Sequence, residues 1–155
     1  MRIGQGIDVH PLVAGRKLVL GGAEIAHERG LDGHSDGDVL VHAIIDALLG
    51  AAGLGDIGGM FPSSDAQWAG VSSIDLLSRV GERVAAAGLR AGNIDATVVA
   101  EAPRLARHVE AMRANLGRAL ALDIIRINVK ATSADGLGFT GRGEGIAAFA
   151  VVLLE

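Results

Sequence analysis

Apolar and polar residues alternate from Arg2 to about Leu12, and this period of two predicts an opening strand in which Asp8 and His10 share one face while Ile7 and Val9 pack inward. Lys17 to Leu20, followed by Gly21 and Gly22, predicts a second short strand paired with it or close by. From Gly37 to Leu49 the period becomes helical, with Val41, Ile44, Ile45, Leu48 and Leu49 on a buried face. Ser72 precedes a further helical repeat, Ile74, Leu77, Val80 and Val84, with Asp75 placed as a capping-box variant and Gly88 as the stop. Ile94, Ala96, Val98 and Ala100 alternate with Asp95, Thr97 and Glu101 as a strand. Pro103 then opens a helix through Leu105, Val109, Met112, Leu116 and Leu120, whose arginines form its solvated side. Ile125, Ile127, Val129 and Ala131 alternate with polar residues as another strand, and Ile146 to Leu154 is apolar on both faces, as a buried or interfacial strand is. The expected architecture is α/β: a mixed sheet covered by three helices, within one domain spanning residues 1–155.

Composition narrows the function classes. Half of the 155 residues are apolar, enough for one core. A net charge of -4, one Trp, three Phe and no Tyr supply neither a basic field for a phosphate backbone nor platforms for stacked bases, so nucleic acid is set aside. No cysteine is present, so disulfides and thiolate ligands are excluded, in agreement with a reducing compartment. The chain starts directly as a strand and has no apolar run long enough to span a bilayer; the expected location is cytoplasmic, away from membranes.

Three residues carry candidate chemistry. Asp8 and His10 project from one strand face, and His42 lies between Asp38 and Asp46 in an i, i+4, i+8 stripe on the first helix. Two imidazoles and a carboxylate suit zinc, and three protein ligands leave a coordination position for a substrate oxygen or water. A lone histidine in an apolar stretch is also compatible with a plain core or surface residue, and Asp38 and Asp46 with structural acids standing behind the ligands. Two glycine-rich loops stand out. Gly136 to Gly141 spells the dinucleotide fingerprint after a strand, but Ile146, Ala148 and Ala150 continue as strand where that fingerprint needs a helix, so nicotinamide binding is not favoured. Its glycines suit close approach to an anion or to another subunit, with Arg142 as the nearby cation. Gly50 to Asp65 is a long loop of the kind that carries function, or a surface insertion.

His34-Ser35-Asp36-Gly37-Asp38, Asp8-Val9-His10, His42, Asp56-Ile57-Gly58, Phe61-Pro62 and the run from Gly138 to Gly145 together resemble the 2-C-methyl-D-erythritol 2,4-cyclodiphosphate synthase family over nearly the whole chain. The resemblance implies a phosphorus-oxygen lyase of non-mevalonate isoprenoid biosynthesis. Its substrate is the cytidine compound 4-diphosphocytidyl-2-C-methyl-D-erythritol 2-phosphate, cyclised with loss of CMP. It also implies a homotrimer with sites between neighbouring subunits, a chorismate-mutase-like arrangement, and a four-stranded main sheet.

By the same resemblance, Asp8, His10 and His42 match zinc ligands, and Asp135 a ligand of a second Mg2+ or Mn2+ held with the diphosphate. His34 and Ser133 match the groups that stabilise the transition state. His34 and Ser35 match positions beside the 2-phosphate, and Asp8, Val9 and His10 match substrate-binding positions. Asp56, Ile57, Gly58, Phe61, Pro62, Ser63, Ser64 and Asp65 match the methylerythritol-binding stretch. Ala100, Glu101, Ala102, Pro103, Arg104, Leu105 and Ala106 match the cytidine loop, while Thr132, Ala134, Phe139 and Arg142 match further diphosphate and nucleotide contacts. Asp46 is expected to hold the free ring nitrogen of a ligand histidine. Four positions depart from the family pattern: Asp135 replaces Glu, Ser63 an acid, and Gln5 and Ile7 the His and Phe that face the trimer axis. Relatives hold an isoprenoid diphosphate there, near Phe139, Arg142 and Glu144. Two other classes fit the metal motif less fully, a zinc phosphoesterase and a non-catalytic trimer binding isoprenoid diphosphates.

Overall fold

The computed structural model describes residues 1–155. Strands β1 (Arg2–Ala14), β2 (Leu18–Leu20), β3 (Ala23–Ile25) and β4 (Arg29–Leu31) lead into helix α1 (Val39–Ala52). A four-residue helix α2 (Ile57–Met60) and helix α3 (Ser73–Ala86) follow, then β5 (Ala91–Val99), α4 (Val109–Leu120), β6 (Ile127–Thr132), the four-residue α5 (Gly138–Gly141) and β7 (Gly145–Leu154). The sheet runs β4-β1-β7-β5-β6, and β2 pairs with β3 as a separate hairpin. β7 is antiparallel to both β1 and β5, whereas β5 and β6 are parallel and are joined through α4, which makes the sheet mixed. The expected four-stranded sheet and three long helices are present, with three-residue β4 added beyond β1. No helix is long and apolar enough to cross a membrane.

α1 is apolar almost all round because it is the centre of the molecule, packed on β1 and β7 on one side and on α3 on the other. Its contact with β1 is backbone to backbone. A Cβ on Gly4 would lie 1.9 Å from the Ala47 carbonyl oxygen, and one on Gly6 1.9 Å from that of Ala43. Gly4, Gly6, Asp8 and His10 share one strand face, so the glycines that admit α1 also carry Asp8 and His10 up to its first turns.

The opposite face corrects the sequence reading. Ile7 and Val9 are 50% and 47% exposed, and with Ile3, Phe149 and Val151 they form an uncovered apolar surface on β1 and β7. Alternation distinguishes the two faces of a strand but not which one the helix covers, and here the helix takes the glycine face. Two boundaries and one helix cap also differ. Ile125 is 81% exposed in a 3-10 turn and β6 starts at Ile127. The helix expected from Pro103 starts at Val109, because Leu105 is buried from a loop and a 3-10 turn over Ala106–His108 intervenes. Ser72 makes no side-chain cap; the first N–H of α3, on Ser73, donates instead to Asp36 Oδ2 at 3.0 Å. On α4, Arg113 is not simply solvated: it donates to the carbonyls of Ile124 (2.8 Å) and Ile127 (2.7 Å) and ties the helix to the start of β6.

Candidate functional site

Asp38 fixes where α1 begins. Its carboxylate is fully buried and accepts from Val41 N (3.1 Å), Gly21 N (2.9 Å) and Gly22 N (2.7 Å), so it caps the helix and anchors the β2–β3 turn. Burial pushes its carboxyl up to about 6, against the pull of those three donors. Asp38 is thus a structural acid: its carboxylate bonds to no ligand histidine, and only its backbone carbonyl accepts from His42 N, at 3.0 Å.

One turn further along, His42 turns Nδ1 toward Asp8 Oδ2 at 3.0 Å. His10 Nε2 lies 2.8 Å from the same oxygen and 3.2 Å from His42 Nδ1. The three donor atoms lie within 4.8 Å of one another, a group able to hold a divalent metal. The remaining nitrogens fit that use. His10 Nδ1 donates to the Asp32 carbonyl, which leaves the Nε2 lone pair for the ion. His42 Nε2 is paired with Ser35 Oγ (2.9 Å) and Ser73 Oγ (3.0 Å). Without metal, burial pushes the Asp8 carboxyl up, but hydrogen bonds and charge from His10 and His42 outweigh it and hold Asp8 well below the usual carboxylate range. Burial likewise lowers His10, but Asp8 and the Asp32 carbonyl outweigh it and raise the imidazole above its ordinary value.

The triad opens into a cavity of about 360 Å3. His34, Ser35, Ile57, Gly58, Phe61, Pro62, Ser63 and Ser64 line it, joined by Trp68 and Leu76. Phe61 and Trp68 meet edge to face with ring centroids 5.0 Å apart, and the Arg79 guanidinium lies over Trp68 at 5.4 Å. The loop wall is built by acids turned to backbone. Asp46 Oδ1 accepts from Ile57 N at 2.7 Å and Asp56 Oδ1 from Gly59 N at 2.7 Å, which start α2, while Asp65 accepts from Gln67 N and its carbonyl accepts from His34 Nε2 at 3.3 Å. Burial raises Asp46 above the usual carboxylate range, opposed by that Ile57 bond. The expectation that Asp46 holds a ligand histidine is therefore corrected: its reach from α1 ends at the α2 backbone, and serines take the histidine.

A second cavity, of about 430 Å3, lies between the loop after β5 and the end of β6. Ala100, Glu101, Pro103, Arg104, Leu105, Ala106, Thr132 and Ser133 line it with Ala131, and none of these reaches the first cavity. Ser133 Oγ donates to Asp135 Oδ1 at 3.0 Å. Ala102 precedes Pro103 through a cis peptide in the same loop, and Ala134 joins Ser133 to Asp135. Phe139 is 40% exposed on α5 and Arg142 Nε donates to Glu144 at 2.7 Å, both outside either cavity. Val9 faces away from the triad, on the uncovered side of β1.

A profile of the YgbB family matches residues 1–155. The chain belongs to the YgbB family. It is 59% identical over 155 residues to the 2-C-methyl-D-erythritol 2,4-cyclodiphosphate synthase of Geotalea uraniireducens, covering all of this chain and 99% of that relative. Among solved structures it is similar to the bifunctional IspDF of Campylobacter jejuni, with a TM-score of 0.95 and 45% identity over 99% of this chain and 42% of that longer one. It is also similar in fold to a 2C-methyl-D-erythritol-2,4-cyclodiphosphate synthase structure in its CDP-bound form, with a TM-score of 0.91 and 38% identity over 99% of this chain and 100% of that one.

Three residues of this YgbB-family chain that support the candidate metal site escaped the sequence reading. Arg16 donates to Asp32 Oδ1 (2.8 Å) and to the carbonyls of Gly33 (2.9 Å) and Ser35 (2.8 Å), clamping the loop that orients His10 and carries His34. Asp36 and Ser73 lie behind His42. Asp36 stands in a conspicuous acidic motif and Ser73 at a helix start, but neither signal names a partner 37 residues away.

Proposed function

We propose that this chain is a 2-C-methyl-D-erythritol 2,4-cyclodiphosphate synthase. It converts 4-diphosphocytidyl-2-C-methyl-D-erythritol 2-phosphate to the 2,4-cyclodiphosphate and CMP, as a phosphorus-oxygen lyase of the non-mevalonate pathway. The observation that carries this is the Asp8, His10, His42 group at the floor of a cavity whose other wall is apolar. Phosphate oxygens suit the first and a methyl-bearing carbon chain the second.

An oxygen of the 2-phosphate attacks the β-phosphorus, the bond from that phosphorus to the bridging oxygen breaks, and CMP leaves with the electron pair. The chain supplies no covalent nucleophile; its task is to fold one substrate so that attacking and leaving oxygens lie in line. When bound, divalent ions, zinc at the triad and Mg2+ or Mn2+ near Asp135, neutralise phosphate charge and polarise the phosphorus. Ile57, Phe61, Trp68 and Leu76 hold the carbon chain and exclude water from the reacting end. His34 donates from the cavity rim to phosphate oxygens where charge grows, and Ser133 does so from the second cavity. The loop Ala100–Ala106 takes the cytidine.

The two cavities share no residue in one chain, and the exposed apolar face of β1 and β7 supports assembly. In the proposed homotrimer one subunit's first cavity meets its neighbour's second. The test is direct: incubate the protein with the diphosphocytidyl substrate, zinc and magnesium, and follow CMP and the cyclic product, expected in equal amounts. His42→Ala is expected to abolish zinc binding and CMP release together. Free phosphate in place of cyclic product, or full turnover by a demetallated variant, overturns the proposal.

A further inference from the structure

His42 serves a metal through Nδ1 only while its one imidazole proton sits on Nε2. The two hydroxyls at Nε2, Ser35 Oγ and Ser73 Oγ, do not by themselves enforce that, since each can donate or accept. Asp36 decides the direction. Its Oδ1 accepts the Ser73 hydroxyl and its Oδ2 accepts Ser73 N–H at 3.0 Å. A carboxylate has no hydrogen to give, so Ser73 donates to Asp36 and keeps only lone pairs for His42. Nε2 then donates to Ser73, so that Nδ1, 3.0 Å from Asp8 Oδ2, can give its lone pair to an ion taken up between Asp8 and His10. Ser35, Ser73 and His42 are all buried, so water does not compete for these bonds.

We propose that Asp36, acting through Ser73, is a positioning residue that locks His42 in its metal-binding tautomer. This rests on Asp8, His10 and His42 being a metal site, and the test separates the two. The alternative is purely structural: Asp36 holds the first N–H of α3, where Ser72 contributes no bond. That role predicts a lower melting temperature with metal affinity unmoved.

Asp36→Ala distinguishes them. It removes the acceptor of the Ser73 hydroxyl along with that of the Asp38 and Ser73 N–H groups, so Ser73 becomes free to donate to His42 Nε2 and the proton is no longer held there. Zinc affinity of the metal-free proteins is measured by competition with a chromophoric chelator, beside their thermal melts. Outer partners of metal-bound histidines are worth about 10–100-fold in affinity. Asp36→Ala and Ser73→Ala are each expected at about tenfold weaker, since Ser35 remains. The double variant Asp36→Ala, Ser73→Ala is expected to stay at about tenfold, because Asp36 acts on His42 only through the Ser73 hydroxyl. Wild-type protein that binds no zinc overturns the metal site itself. With wild-type binding intact, Asp36→Ala within about threefold of it, or a double variant showing the product of the two losses, overturns the relay. Should Asp36→Ala show no cooperative melt, Ser73→Ala within about threefold of wild type does the same.

Discussion

Gly6→Ala tests the idea that the close approach of β1 and α1 builds the metal centre. The new Cβ would lie 1.9 Å from Ala43 O and 2.8 Å from Ala47 N, both backbone atoms with no rotamer to move. Carbon does not approach such atoms within 3.0 Å, so strand and helix must part by about 1.1 Å at this level. Asp8 lies two residues along the same strand face and His42 adjoins Ala43, so the 3.0 Å separation of Asp8 Oδ2 and His42 Nδ1 opens to about 4 Å. Metal sites tolerate roughly 0.2 Å. Overpacking costs about 1–3 kcal/mol, and a rigid backbone clash belongs at the upper end. For a chain of this length that corresponds to a melting temperature lower by about 6–12 °C. Metal-free melts and zinc titration against a chelator measure both, with affinity expected to fall by about tenfold or more. Gly50→Ala is the control: it lies in the same helix with nothing within 4 Å of the added methyl, and stability is expected to rise by about 1 kcal/mol with zinc affinity unchanged. Wild-type zinc affinity in Gly6→Ala, with a melting temperature within about 2 °C, refutes the reasoning.

An ion taken up at the triad has to displace the proton that Asp8 stabilises on His10, so zinc affinity is expected to climb, with proton release, as pH rises above 6.5; a titration flat across that range contradicts it. In the metal-free protein the raised His10 contributes stability fully below 6.5 and loses it as pH rises through its folded pKa, whereas the depressed Asp8 contributes above 3.8 and loses it as pH falls through its own, so melts against pH are expected to show both losses. Asp46→Ala removes the acceptor of Ile57 N and is expected to raise KM about fivefold while zinc affinity holds; loss of zinc instead would restore Asp46 as partner of a ligand histidine. Phe149→Asp places a charge on the uncovered sheet face; sedimentation is expected to show trimers for wild type and monomers for the variant, with zinc affinity kept, and a trimeric variant argues against that interface.

Periods of two and 3.6 are local, and so the main strands, the three long helices and the shared strand face of Asp8 and His10 were legible from residue order alone. His42 was legible too, because a histidine flanked by acids at helical spacing interrupts an apolar helix. Asp46 shows the limit: its place in that stripe is local, but its partner, Ile57 N, belongs to a loop whose path the stripe does not encode.

Residue order settles which side chains share a face, and long-range packing settles what that face meets. Alternation on β1 is equally consistent with Ile7 and Val9 inside or outside. The choice falls to α1, which packs against glycine because only there can two backbones touch, and so Asp8 and His10 come inside with it. The supports of the centre are long-range for the same reason. Ser73 reaches His42 across 31 residues, and Arg16 reaches Ser35 from the turn after β1. A hydroxyl or guanidinium acquires a role only from the polar atom that burial leaves beside it, and burial is a property of the assembled chain.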